Sequence, residues 1–188
     1  MDSEAIRKSV KEFLKAIGED PSRPGLKDTP ERVAGMCAEI FSGYGSPFEP
    51  PPVYFQEESY SEIILVRDIE FHSVCEHHLL PFYGRAHVAY IPREGNITGI
   101  SKIARLVGSI SSRLQLQERL TQSIADQMMS NLDPLGAMVV MEARHLCMIM
   151  RGIKKPSSSV VTSAMRGIFL KDARTRSEAL SLIHRREL

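Results

Sequence analysis

Apolar residues recur at helical spacing at the start of the chain. Ile6, Val10, Phe13, Leu14 and Ile17 share one face of a 3.6-residue repeat, which predicts an amphipathic helix over 3–18 that Gly18 ends. Pro21, Pro24 and Gly25 then hold a loop. Thr29-Pro30 reads as an N-cap followed by Pro at the first helical position, so a second helix is expected from Pro30 to about Phe41, stopped by Gly43 and Gly45. Residues 46–52 (SPFEPPP) suit neither a helix interior nor a central strand. They place a boundary between a helical segment, 1–52, and a body, 53–188.

After that boundary the pattern changes. Residues 62–74 (EIILVRDIEFHSV) and 83–91 (YGRAHVAYI) predict strands bounded by Pro. Ile100, Ile103, Val107, Ile110 and Leu114 form one helical stripe, and Leu116, Leu120, Ile124 and Met128 a second. Two further strands are expected over 136–150 and 158–170, then a last helix over 172–186. The body reads β-β-α-α-β-β: an α+β fold with an antiparallel sheet and both helices on one face. Such a sheet leaves two edges and one face to cover, and a partner subunit is the expected cover.

Composition narrows the function classes. The 188 residues carry 24 Lys plus Arg against 23 Asp plus Glu, a net charge of +1. A general nucleic-acid or membrane-surface binder needs a basic excess, so neither partner is expected. No apolar run approaches the roughly 20 residues that span a bilayer, and the first residues show no signal-peptide block, so a cytoplasmic location is expected. Three Cys are too few and of the wrong parity for a disulfide framework; in a reducing compartment, metal binding or catalysis is the better use.

Two short motifs concentrate that chemistry. Cys75-Glu76-His77-His78 sets a thiol and an imidazole at C-x2-H spacing where the first long strand ends, and His145-Leu146-Cys147 offers a second pair. On a strand, 145 and 147 point to the same face roughly 7 Å apart. Each pair alone is as readily explained as packing. Together they use two of three Cys and three of six His, which favours a metal. The candidates are Cys75, His78, His145 and Cys147. They allow a structural Cys2His2 site or a catalytic Cys2His site with water, the latter leaving His77 or His145 for acid–base work. Cys37 lies beside Val33, Met36 and Ile40 and reads as core. The zinc-deaminase, H-E-x-x-H, P-loop and G-x-G-x-x-G patterns are absent.

Gly99-Ile100-Ser101-Lys102 opens the first central helix, where free N–H groups favour anions. With Lys102, Arg105 and the Ser101 hydroxyl this is a candidate phosphate cradle, although an ordinary solvated face looks the same in sequence. Arg151 adds a cation four residues past Cys147. Gln117-Glu118 begins the second helix; Glu118 points away from the apolar stripe and can accept two N–H bonds from a guanine edge.

Taken together, GEDPSRPGLKDTPERVAGM, SVCEHHLLPFYGRAHVAYIP, GISKIARL, RLQLQERLTQSIADQM and ARHLCMIMRGI, running into SSVVTSAMRGIF, resemble the GTP cyclohydrolase I family over about residues 18–170. The resemblance implies a tunnelling fold whose subunits close into pentameric rings, two of which stack into a homodecamer with active sites between subunits. It implies Zn2+ on Cys75, His78 and Cys147, with water in the fourth position. It makes Glu118, assisted by Gln117, the guanine-binding pair. Ser101, Lys102, Arg105 and Arg151 face the triphosphate of GTP, Arg32 reaches a neighbour's triphosphate, and Glu76 joins the substrate contacts. The implied reaction opens the GTP imidazole ring at C8, releases formate and gives 7,8-dihydroneopterin triphosphate, the entry to folate and pterin synthesis. His145 and His77 are the implied proton carriers. Two segments, KKPSSSVVTSAM and GSISS at 108–112, depart from what is common in that family without removing a matched site residue.

Overall fold

The computed structural model describes residues 1–45, 55–56 and 60–184. The Pro-rich boundary 46–52 and the last two residues of the predicted C-terminal helix lie outside them. The chain divides into two compact units, Met1–Pro47 and Phe48–Leu188.

The first unit is a helix pair. Helix α1 (Ser3–Ala16) starts where the Asp2 carboxylate accepts the Ala5 N–H at 3.0 Å. It ends two residues earlier than its apolar pattern, and Gly18 turns the chain at φ 89°, where a Cβ would be strained. Helix α2 (Thr29–Ile40) takes Thr29 into its first turn instead of using it as the cap. Asp28 precedes it with no side-chain hydrogen bond, so the start is set by Pro30, whose missing N–H falls where none is needed. Arg7 grips Glu31 with two bonds, Nε to Oε2 at 2.5 Å and Nη2 to Oε1 at 3.0 Å, tying α1 to α2. The buried contacts are Leu14 and Ala34, whereas Met36 is 48% exposed and does not belong to a core stripe.

The second unit follows the expected β-β-α-α-β-β order. Its elements are β1 (Phe55–Gln56), β2 (Ile64–Cys75), β3 (Pro81–Ile91), β4 (Asn96–Ile97), α3 (Ile100–Ser111), β5 (Leu114–Gln115), α4 (Gln117–Leu132), β6 (Gly136–His145), α5 (Leu146–Ile149), β7 (Val160–Gly167), α6 (Ile168–Lys171) and α7 (Ala173–His184). The main sheet runs β5-β2-β3-β6-β7. All its long strands pair antiparallel, and β5 runs parallel to the end of β2. Both late strands stop short of their predicted ends and curl into the single helical turns α5 and α6. For β6 the cause is the loss of partners on both sides. β3 pairs with it only back to Phe82, since Pro81 has no N–H to extend the ladder, and β7 begins only at Val160.

Ile103, Leu106, Val107 and Ile110 of α3, with Leu120, Ile124 and Met128 of α4, pack on Phe71, Phe82, Val88, Tyr90, Val139 and Met141 of the sheet. Ile100 is 65% exposed and Leu114 lies in β5, so the helical stripe is shorter than predicted and gains Leu106. On the opposite face, Phe169 and Ala179 of α6 and α7 cover Ala89, Ile91, Met138 and Val140. The remainder of that face is polar: Glu70, His72, Tyr83, Arg85, His87, Glu142 and Arg144 line an open cleft of about 1050 Å³.

Gly84 of β3 pairs with Ala143 of β6. A Cβ there would meet Glu142 O at 1.9 Å and Ala143 Cα at 2.6 Å. Both are backbone atoms and cannot swing aside. Gly84→Ala is therefore expected to destabilise the fold by about 3 kcal/mol or more, as severe overpacking does. Denaturant unfolding checks it; an unchanged midpoint would show that the strands can separate without cost.

Candidate metal centre and active site

Two chain reversals build the cluster. β2 ends in a tight turn in which the Cys75 N–H donates to Leu80 O at 2.9 Å and the Leu79 N–H donates to Cys75 O at 2.9 Å, with Leu79 at φ 54°. That turn folds His78 back toward Cys75. The second reversal is α5, which starts immediately after His145 and carries Cys147 inward. The ligand atoms of Cys75, His78 and Cys147 lie within 4.8 Å of one another. Zn–S bonds of about 2.3 Å and Zn–N bonds of about 2.0–2.1 Å fit one ion at the centre of such a set. Among the described residues no other His, Cys, Asp or Glu group is so placed.

His145 is not in this cluster. The expectation that 145 and 147 share a strand face fails because the strand ends at His145 and Cys147 lies in the helical turn. The curl separates the two side chains. His145 stacks on Phe82, ring centroids 4.6 Å apart and 4° from parallel, and its Nε2 lies 2.7 Å from Gln117 Oε1. Burial lowers the His145 pKa, against an opposing pull from the Glu118 carboxylate. Burial pushes the Cys147 thiol up, and Cys75 beside it adds to the rise. All three cysteines are free.

The remaining predicted residues have the following surroundings. His77 is exposed and meets His78 edge to face at 6.3 Å. The Arg151 Nη1 lies 2.5 Å from His78 Nε2, at the rim of the cluster. Glu118 is exposed on the first turn of α4. Glu76 is paired with Arg119, which also donates from Nε to Gln115 Oε1 at 3.1 Å. Gln117 is only 1% exposed and its side chain is fully engaged by protein. Arg32, in the helical unit, is exposed and 3.7 Å from Asp28. Sequence reasoning missed Arg119, Phe82 and Thr162. All three lie in stretches quoted above, Phe82 in SVCEHHLLPFYGRAHVAYIP, Arg119 in RLQLQERLTQSIADQM and Thr162 in SSVVTSAMRGIF, but nothing in those stretches marks them for a role.

Ser101, Lys102 and Arg105 do not join the metal cluster. Gly99 precedes α3 with no side-chain cap, so the helix N-terminus is open to an anion. The Thr98 N–H donates to Tyr90 Oη at 3.1 Å, anchoring this end of α3 beside the Ile64–Tyr90 end of the sheet. The other end of α3 lies by β5, which pairs with Cys75. The 12 residues of α3 span roughly 18 Å. Within one chain, cradle and metal cluster therefore lie about a helix length apart. Tyr90→Phe leaves the buried Thr98 N–H unpaired and is expected to cost about 1–3 kcal/mol. Because the same bond positions the helix N-terminus, KM for a phosphorylated substrate should rise as well; a stability loss with unchanged KM would detach the cradle from substrate binding.

Two thiols and an imidazole converging beside a separate, packed imidazole are the arrangement of a metal-site protein on a β-β-α-α-β-β sheet. The family model of GTP cyclohydrolase I matches residues 6–184. A GTP cyclohydrolase 1 of Caldanaerobacter subterraneus subsp. tengcongensis is 58% identical over 184 residues, covering 98% of each chain. One from Bacillus subtilis is 54% identical over 190 residues, covering 100% of this chain and 98% of the relative. The chain belongs to the GTP cyclohydrolase I family, and its sheet and helices are the tunnelling fold of that family.

Proposed function

We infer that this GTP cyclohydrolase hydrolyses GTP at C8 of the guanine, releases formate and yields 7,8-dihydroneopterin triphosphate, with zinc held by Cys75, His78 and Cys147. The observation that carries the reading is the three-residue ligand set with His145 next to it but outside it: three protein ligands are the catalytic pattern and four the structural one. Zinc, when bound, lowers the pKa of a water molecule and so makes a nucleophile accessible near neutral pH.

The chain's own residues do the rest. Glu118 accepts the N1–H and exocyclic amine of the guanine and so sets its orientation. His145 exchanges a proton at the purine N7, and His77, open to solvent, serves the later transfers of ring opening and ribose rearrangement. Arg151 at the cluster rim holds phosphate charge, and Arg32 holds that of a neighbouring copy's substrate. Glu76, steadied by Arg119, lies on the turn between the ligands Cys75 and His78 and supports the substrate from that side.

Ser101, Lys102 and Arg105 bind the triphosphate of a neighbouring copy's substrate. Their separation from the chain's own metal cluster supports this, since a helix length exceeds the reach from the C8 of one nucleotide to its phosphates. A closed ring of subunits, paired into a homodecamer, supplies the neighbour and seals the open sheet edges. Light scattering is expected to give about ten chains; a monomer with full activity would overturn the shared site.

Among the described residues no helix is long and apolar enough to cross a membrane. Three free thiols suit the reducing cytoplasm. The deciding experiment incubates metal-loaded protein with GTP and follows formate release and pterin fluorescence. Fully metallated protein that forms neither product would sink the reading.

A further inference from the structure

The Gln117 side chain is a buried polar group at the first position of α4, and every one of its hydrogen-bonding atoms has a protein partner. Its Nε2 lies 3.2 Å from Met141 O, 2.9 Å from Val160 O and 3.1 Å from Thr162 Oγ1. Met141 and Val160 present carbonyl oxygens, which only accept. The amide's N–H2 end must therefore face β6 and β7, and Oε1 must face His145.

A second set of bonds locks the same orientation. The Thr121 hydroxyl donates to Gln117 O at 2.7 Å, which uses its only proton. In the 2.6 Å contact between Thr121 Oγ1 and Thr162 Oγ1, Thr162 must then be the donor. Thr162 Oγ1 is left to accept from Gln117 Nε2, whose two protons serve three acceptors, so one of them is shared in a three-centre bond. The bonds run in one direction around a closed ring, Gln117 Nε2 to Thr162 to Thr121 to Gln117 O. The ring joins α4 to β7 in a place where Gln117 and Thr121 are each 1% exposed. Reversing the amide would set Oε1 against two carbonyl oxygens.

The consequence falls on His145. Its Nε2 is 2.7 Å from an oxygen that can only accept, so Nε2 carries the proton and Nδ1 holds the free lone pair. Phe82, fully buried, holds the face of the same ring. We propose that Gln117 is a positioning residue for the reaction: through the Gln117–Thr162–Thr121 ring it fixes His145 in the Nε2–H tautomer, so that Nδ1 is the nitrogen that meets the substrate, taking up a proton from water and handing that same proton on to N7. This deepens the reading of His145 as a proton carrier and rests on it. It also replaces the expectation that the Gln117 side chain assists Glu118 at the guanine edge, since its donors are already committed.

The test uses metal-loaded, assembled enzyme labelled with 15N-histidine and read by solid-state 15N NMR, with His145 assigned by loss of its signals in His145→Gln. Wild type is expected to show His145 protonated at Nε2 and bare at Nδ1. Protonation at Nδ1 alone would overturn the proposal, and this measurement needs no variant of the ring itself. Gln117→Leu is expected to keep its metal, mix the two tautomers and lower kcat about 100-fold, with KM within about threefold of wild type. A raised KM with unchanged kcat would return Gln117 to substrate binding and overturn the proposal.

If Gln117→Leu does not fold, Thr162→Val breaks the ring by removing one acceptor of the Gln117 amide, with His145 and Gln117 themselves unsubstituted. It is expected to lower kcat about 10-fold and to loosen the tautomer signal; no change in either would overturn the proposal. His145→Gln serves as the separate control. Full turnover in that variant would refute His145 as proton carrier while leaving the measured tautomer as it stands.

Discussion

Cys147→Ala is expected to lose metal and turnover together while keeping the sheet and the α3–α4 core. Cys147 is half-buried on a four-residue helical turn beyond the end of β6, so little packing depends on it. The ligand set drops from three to two, too few to hold an ion at working concentrations. Without the metal, water keeps its ordinary pKa, and turnover should fall on the order of 10⁴-fold or more. Metal analysis, a thermal melt and a GTP assay on the same sample check all three parts. Retained metal would show that another residue completes the site. The wild-type site carries a pH signature as well. Burial and the Cys75 neighbour push the metal-free Cys147 thiol up, toward its protonated form. A metal must displace that proton, so affinity should strengthen as pH rises from about 6 to about 8 and weaken with acid. Affinity that is flat across that range would contradict a thiolate-held ion.

His145→Ala is expected to separate chemistry from metal binding. The imidazole lies outside the ligand cluster, so bound metal should stay at one ion per chain. Loss of a positioned proton carrier should lower kcat by about 10²- to 10⁴-fold. KM should change little, because on the proposed reading Glu118 and the cationic residues hold the nucleotide. The variant also leaves Gln117 Oε1 unpaired and removes the ring stacked on Phe82. A modest stability loss of about 1–2 kcal/mol should accompany the kinetic effect. Metal loss in His145→Ala would make His145 a ligand and revive the four-residue structural site that the sequence alone allows.

The contrast between these two residues shows where sequence reasoning stopped. They are two positions apart, and period-2 reasoning placed them on one strand face. Their separation depends on Pro81, which ends the ladder of a strand some sixty residues earlier in the chain, and on β7 starting at Val160. Nothing local to His145-Leu146-Cys147 signals either event. Gln117 is a similar case. Its place beside Glu118 suggested a substrate contact, but its partners come from β6 and β7, 24 to 45 residues away.

Several features were local enough to read directly. The order β-β-α-α-β-β follows from apolar periodicity, and the existence of each long element follows with it. The four candidate metal ligands, Cys75, His78, His145 and Cys147, follow from residue chemistry, because few side chains bind a soft ion and this chain has only three Cys; which of them converge does not. The open N-terminus of α3, with Ser101, Lys102 and Arg105 on its first two turns, is also a local property. What the tertiary structure alone decided is how these parts are shared out: His145 to Gln117 and Phe82, Cys147 to the cluster with Cys75 and His78, and the Ser101–Lys102–Arg105 end of α3 to the far end of the sheet. Those assignments depend on strand register and on where each ladder runs out of partners. Both are set by contacts between residues far apart in the chain, to which the spacing of neighbours is blind.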